Sequence, residues 1–190
     1  LEFRRVLFRS VNSAKTTTAC GGGKNSPLLL DILFRHNIRF LLWFRKYTEA
    51  RTPFGRLLFR FALYRMSRKY GLEFSTNAEI DGGLYLCHPY NITVGNGAVL
   101  GKNCCLYKGC TLGVDYRGAR IGAPRLGSNV FVGINASVIG AVTIGDDVLI
   151  APNAYVNFDV PSHSIVIGNP GRIIPKEHAT EECIFNKILN

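Results

Sequence analysis

The sequence predicts a β protein, a parallel β-helix built from hexapeptide coils behind a short basic α-helical arm, and three observations carry that prediction. From Val94 the chain reads VGNGAV, LGKNCC, LYKGCT, LG, and after an interruption LGSNVF, VGINAS, VIGAVT, IGDDVL, IAPNAY, VNFDVP. An aliphatic residue thus recurs every six positions, at 94, 100, 106 and 112 and again at 126, 132, 138, 144, 150 and 156, and the count runs back through Ile92, Leu86 and Ile80. A fixed period of six is neither helical nor plain strand alternation; it marks a solenoid whose short strands turn a corner and stack. The second observation is that the residue four places on is small: Ala98, Cys104, Cys110, Val130, Ala136, Val148 and Ala154. The third is the distribution of charge. Residues 1 to 70 hold 15 Lys+Arg against 3 Asp+Glu, giving +12, whereas residues 71 to 190 hold 8 against 10, giving −2.

Each coil follows from this pattern. The first-position aliphatics point inward and the small residues fit the crowded corners, so Cys104 and Cys110 are expected to be core. A dozen such aliphatics at roughly 1.5–3 kcal/mol each supply the stabilisation. Asn135 and Asn153 fall at corners, where an amide tolerates left-handed backbone. The step from Leu112 to Leu126 is 14 residues rather than 12, so GVDYRGARIGAPR should contain a projecting loop, the kind of segment that carries function on a rigid scaffold.

The arm divides in two. LEFRRVLFRS, residues 1 to 10, matches an in-frame translation of a common sequencing adapter, and residues 1–26 as a whole are expected to be an artefact plus a disordered remnant. Over 27–71 two helices are expected, each opened by a hydroxyl N-cap and a proline, at Ser26-Pro27 and Thr52-Pro53, the second stopped at Gly71. Its apolar set (Leu57, Leu58, Phe61, Ala62) and basic set (Arg56, Arg60, Arg68, Lys69) make it amphipathic. Packing against the coils or another subunit is the first expectation for it, and peripheral contact with an anionic membrane the second. Residues 72–176 form the β-helix and 177–190 a tail.

Composition excludes several classes. No aromatic-basic, zinc-finger or basic-zipper pattern accompanies the charge, so no nucleic-acid partner is expected. The six cysteines show no CxxC pair and no ligand cluster, and no export signal stands out, which fits a cytoplasmic protein without a metal. Every long apolar run is broken well short of the roughly 18 residues a membrane span requires.

One stretch interrupts the count: IDGGLYLCHPYNITVGNGAVLG, residues 80 to 101, sets Cys87 and His88 at a turn and slips by two residues between Ile92 and Val94. With GCTLG, IGDDVLIAPNAYV and PSHSIVIGNPGRII, it resembles the hexapeptide-repeat acyltransferases, in particular the serine acetyltransferase group, over about residues 72 to 176. The resemblance implies a left-handed β-helix, an exception to the usual right-handed crossover. It also implies a homotrimer with active sites between neighbouring prisms and acetyl-CoA as cosubstrate. His88 then matches the base that deprotonates an acceptor hydroxyl, imidazole being the side chain whose ordinary titration lies nearest neutral pH. Glu73 falls where the family has the acid that orients it.

The resemblance also implies a coenzyme A site along Gly113, Gly133, Ile134, Ala151 and Pro152, with Arg172 and Lys176 placed to meet its phosphates. Cys87, Asp115, Arg117 and Arg120 are the candidate acceptor contacts. The family's aspartate before the histidine is Cys87 here, and its loop Arg-His-Pro is Gly122-Ala123-Pro124. Both departures weaken a serine site. The resemblance as a whole nonetheless implies O-acetyl transfer to serine in cysteine biosynthesis, which is the expected function. A sugar hydroxyl in capsule or exopolysaccharide assembly is the alternative acceptor, and a non-catalytic scaffold the third reading. The four histidines lack the three-histidine spacing of a metal site.

Overall fold

The structure of the chain, a computed structural model, describes residues 34–184 and 187. The adapter-like segment and the expected helix start at Ser26-Pro27 lie outside those residues. Two helices form the described arm, α1 (His36–Glu49) and α2 (Pro53–Tyr70). α2 begins and ends where its sequence says it should. Thr52 Oγ1 accepts the Gly55 N–H at 3.1 Å, Pro53 occupies the first turn, and Gly71 closes the helix in the left-handed region at φ 67°. Glycine is required there for a second reason: a Cβ would lie 2.2 Å from Asn91 Oδ1.

α1 closes the N-terminal end of the solenoid, whose first coil would otherwise expose its core. Phe40 and Phe44 are buried, with ring centroids 4.9 and 5.9 Å from that of Phe74. Asn37 donates to the Leu86 carbonyl, and the Arg45 guanidinium donates to the carbonyls of Ile80 and Asp81. α2 turns a different face inward from the one its sequence suggested. Met66 is buried and Leu63 and Tyr70 pack against the core, while Leu57, Leu58 and Phe61 stand in solvent.

Behind the arm the chain winds through three parallel sheets. Face 1 is β1 (Leu72–Phe74), β4 (Ile92–Val94), β7 (Thr111–Gly113), β10 (Ser137–Ile139) and β13 (Tyr155–Val156). Face 2 is β2 (Glu79–Ile80), β5 (Val99–Leu100), β8 (Arg125–Leu126) and β11 (Thr143–Ile144). Face 3 is β3 (Tyr85–Cys87), β6 (Cys105–Tyr107), β9 (Phe131–Val132), β12 (Val148–Ile150) and β14 (Ser164–Ile167), with β15 (Arg172–Pro175) folded back antiparallel on β14. Registry stacks the inward aliphatics in rows: Leu86, Leu106, Val132, Ile150 and Val166 on face 3, and Val94, Leu112, Val138 and Val156 on face 1. All of these are buried, as are Ala98, Cys104, Cys110, Val130, Ala136, Val148 and Ala154 at the corners. Burial pushes the Cys104 and Cys110 thiols up to about 12, which leaves them inert packing groups.

The corners repeat as well as the strands. Between faces 2 and 3, Asn103, Asn129, Asp147 and His163 all have positive φ, as do Asn135 and Asn153 between faces 3 and 1. One of these corners also holds the tail. The Asp147 carboxylate accepts from the Thr180 hydroxyl and N–H at 2.6 and 3.0 Å and from the Ala179 N–H at 3.0 Å, and pairs with His163 Nδ1 at 3.0 Å. Burial alone would raise its pKa, but the bonds from Thr180, His163 and Ala179 outweigh that and hold it at about 2.

A carboxyl depressed from 3.8 contributes stability that is fully present above pH 4 and lost as the pH falls toward 2. Asp147→Asn is therefore expected to cost roughly 2 kcal/mol at pH 7 and to flatten the pH dependence of the melting temperature between pH 4 and 2. Calorimetry of both proteins across that range checks it.

Candidate active site

The corner between faces 3 and 1 is where chemistry-bearing residues gather. In three successive coils the inward residues flanking it are four apart: Leu106 and Cys110, Val132 and Ala136, Ile150 and Ala154. In the first coil they are Leu86 and Ile92, six apart. The two extra residues push the backbone outward at His88-Pro89-Tyr90. His88 is exposed at φ 48°, a left-handed conformation that is uncommon for residues other than glycine. The sequence slip noticed between Ile92 and Val94 is thus an insertion at the corner before it, and its product is an imidazole lifted clear of the prism.

Two groups missed in the sequence support that corner. The His88 ring lies edge-on to Tyr107 of the next coil at 6.4 Å, and Tyr107 leans on Phe131 at 4.9 Å. On the other side His36 of α1 hydrogen-bonds the Pro89 backbone and stacks on Tyr70 at 4.3 Å, with Tyr90 5.0 Å away. Burial lowers the pKa of His36, so it serves as a neutral prop. Neither residue announces itself, because both act through contacts that only coil stacking creates.

The other candidate residues fall into separate groups. Glu73, central in β1, pairs in register with Thr93 and lines a cavity of about 440 Å³ with Arg60, Tyr64 and Ser67 of α2. Among the described residues no hydrogen bond or ion pair joins Glu73 to His88. Cys87 is buried at the end of β3, so its thiol is not presented to solvent as the imidazole is.

Gly133, Ile134, Ala151 and Pro152 follow His88 along the same edge of the prism, in the third and fourth coils. With coils spaced about 4.8 Å apart, the row extends roughly 15 Å from the imidazole. Gly133 is there for packing, since a Cβ would lie 2.7 Å from Pro152 N. Of the two cations, Arg172 pairs with Ile167 at the end of β15 nearest this edge. Lys176 lies at the opposite corner, its N–H donating to the His163 carbonyl.

Gly113 and the loop stand at the far side of face 1. Leu112 to Leu126 spans 14 residues where Val138 to Ile144 spans six, and the excess forms the projection expected from the sequence. Asp115 and Gly122 exchange two backbone bonds of 2.9 Å at its base, and Asp115 Oδ1 accepts the Arg117 N–H. Arg120 anchors it through Nη1 to Asp159 Oδ2 at 3.1 Å. Thr143 N–H and then Arg120 hold the Asp159 carboxyl below its ordinary value. Asp115 and Arg120 thereby shape the loop, while Arg117 and Tyr116 are exposed near its tip. His88 and the loop occupy opposite edges of face 1, about three strand residues or 10 Å apart. Among the described residues no group of three metal-ligating side chains occurs.

Comparison with known proteins agrees with this architecture. The chain matches the family described as bacterial transferase hexapeptide (six repeats) over residues 123–157, which covers later coils and stops short of His88. It is 37% identical over 109 residues to a serine acetyltransferase of Helicobacter pylori, covering 56% of this chain and 63% of that one. It is 31% identical over 134 residues to a serine acetyltransferase of Staphylococcus aureus, covering 70% and 58%. The chain spans less than two thirds of the length of these curated relatives. Among solved structures, the Neisseria gonorrhoeae serine acetyltransferase in complex with serine superposes with a TM-score of 0.72 at 27% identity, over 88% of this chain and 69% of that one. A Brucella abortus serine acetyltransferase in complex with coenzyme A superposes with a TM-score of 0.78 at 22% identity, over 93% and 69%, a likeness of fold. The chain carries hexapeptide repeats and is similar to the serine acetyltransferases in sequence and in fold.

Proposed function

We propose that this chain is an acetyl-CoA-dependent O-acetyltransferase whose acceptor is the hydroxyl of serine, as in cysteine biosynthesis. The observation that carries the reading is the two-residue insertion that presents His88 to solvent at the head of a row of corner residues. In this reading His88 takes the proton of the acceptor hydroxyl as the oxygen attacks the thioester carbonyl. The tetrahedral adduct then collapses, the carbon–sulfur bond breaks, and the departing thiolate is protonated to give free coenzyme A and the acetyl ester. Tyr107 and His36 fix the corner, so the imidazole need not be ordered at each turnover.

The coenzyme is assigned to the edge row of Gly133, Ile134, Ala151 and Pro152, with Arg172 at its phosphate end. Lys176, at the other corner, is assigned no contact. Because His88 and the loop lie at opposite edges of face 1, a homotrimer that sets one chain's edge beside another's loop completes the site, with Arg117 and Tyr116 reaching the acceptor. The orienting role of Glu73 belongs to that same arrangement.

A sugar acceptor is the second reading, favoured by Cys87, whose thiol is buried, and by Gly122 and Ala123, which bring no charged group to the loop. The test is thiol release from acetyl-CoA by the full chain with serine and with a panel of monosaccharides. Serine-dependent release with saturation supports the first reading; saturable release with a sugar alone replaces it with the second.

A further inference from the structure

We propose that α2 is a docking surface for an anionic lipid bilayer, a property separate from acetyl transfer. Phe54, Leu57, Leu58, Phe61 and Tyr64 recur at helical spacing along the outward side of its first three turns, and each is more than half exposed, Phe54 at 77%. Met66, Leu63 and Tyr70 already supply the helix with its packing face, so the fold does not need this second apolar stripe. A stripe that large on a surface marks an interaction site.

The charge on the same helix identifies the partner. α2 contains Arg56, Arg60, Arg65, Arg68 and Lys69 and no acidic residue. Its last two turns, with Arg39 and Trp43 of α1, border an open groove of about 760 Å³ whose wall carries Arg39, Arg65, Arg68 and Lys69 beside Trp43 and Tyr70. Cations flanking an apolar stripe, with a tryptophan and a tyrosine at its margin, match a layer of phosphate headgroups over hydrocarbon. A second copy of the chain fits less well. Two-fold pairing sets a patch against itself, and here it would bring ten cations together without an acid from either helix. The charge favours a partner that is negative and apolar at once.

The test is co-sedimentation of the full chain with vesicles of phosphatidylcholine alone and of phosphatidylcholine with phosphatidylglycerol. Binding to the anionic vesicles is expected to be at least about tenfold tighter and to weaken in 0.5 M salt. Leu57→Ser/Phe61→Ser, which alters only exposed positions and so keeps the wild-type melting curve, is expected to lower binding about tenfold or more, as is Arg65→Ala/Arg68→Ala. Failure to sediment with anionic vesicles, equal binding to both compositions, or unchanged binding by Leu57→Ser/Phe61→Ser would overturn the proposal. Loss of a self-assembled species by that variant in sedimentation velocity, with no vesicle binding by the wild type, would assign the stripe to a second copy. Acetyl transfer is read separately, so failure here leaves the enzymatic reading standing.

Discussion

Replacing His88 with alanine is expected to lower acetyl transfer by about 10²–10⁴-fold, the range a positioned general base contributes. The fold should not change. His88 is exposed, its neighbouring ring Tyr107 keeps its contact with Phe131, and the coil is held by Leu86 and Ile92 on either side of the corner. Its positive φ adds a mild strain that alanine would share, so the melting temperature should stay within a few degrees of the wild type. Steady-state thiol release beside a melting curve separates a lost base from a lost fold. A variant that kept its turnover would remove His88 from the mechanism.

The second large effect is structural. Leu106 is the second residue in the inward row of face 3, stacked between Leu86 and Val132 in register and fully buried. Leu106→Ala opens a cavity in the second coil, whose rigid neighbours on three faces cannot close around it. The expected cost is about 2–5 kcal/mol. Set against a whole-domain stability of about 5–15 kcal/mol, that is a large share. Chemical denaturation should show a lower midpoint with little change in slope. A cost below about 1 kcal/mol would mean that the coils relax independently, contrary to the close stacking described above.

The coils were legible because their code is local. Each aliphatic such as Leu126 or Ile150 is placed by its own six-residue frame, and each small residue such as Ala136 by the corner it must fit. The loop was legible as an excess in that count. His88 was legible through resemblance, but the reason for its exposure was not, because the two extra residues show only when Leu86 and Ile92 are compared with the four-residue spacing of later corners.

What the sequence hid depends on distant contacts. The grip of Asp147 on Ala179 and Thr180 joins residues more than thirty apart, and Arg120 meets Asp159 across 39. The reversal at β15 sends Arg172 to one corner and Lys176 to the other, a separation that the linear sequence does not show. α2 misled for another reason. It is apolar on two sides, so periodicity alone could not tell which of Leu57 and Leu63 faces the coils.

The most direct test of the central claim is the fate of a labelled acetyl group. The full chain would be incubated with acetyl-CoA carrying isotope in the acetyl carbons, with and without serine, and the products resolved by mass spectrometry. The account predicts labelled O-acetylserine, formed in step with free thiol and abolished in His88→Ala. Label appearing only as acetate, at a rate indifferent to serine, would contradict it.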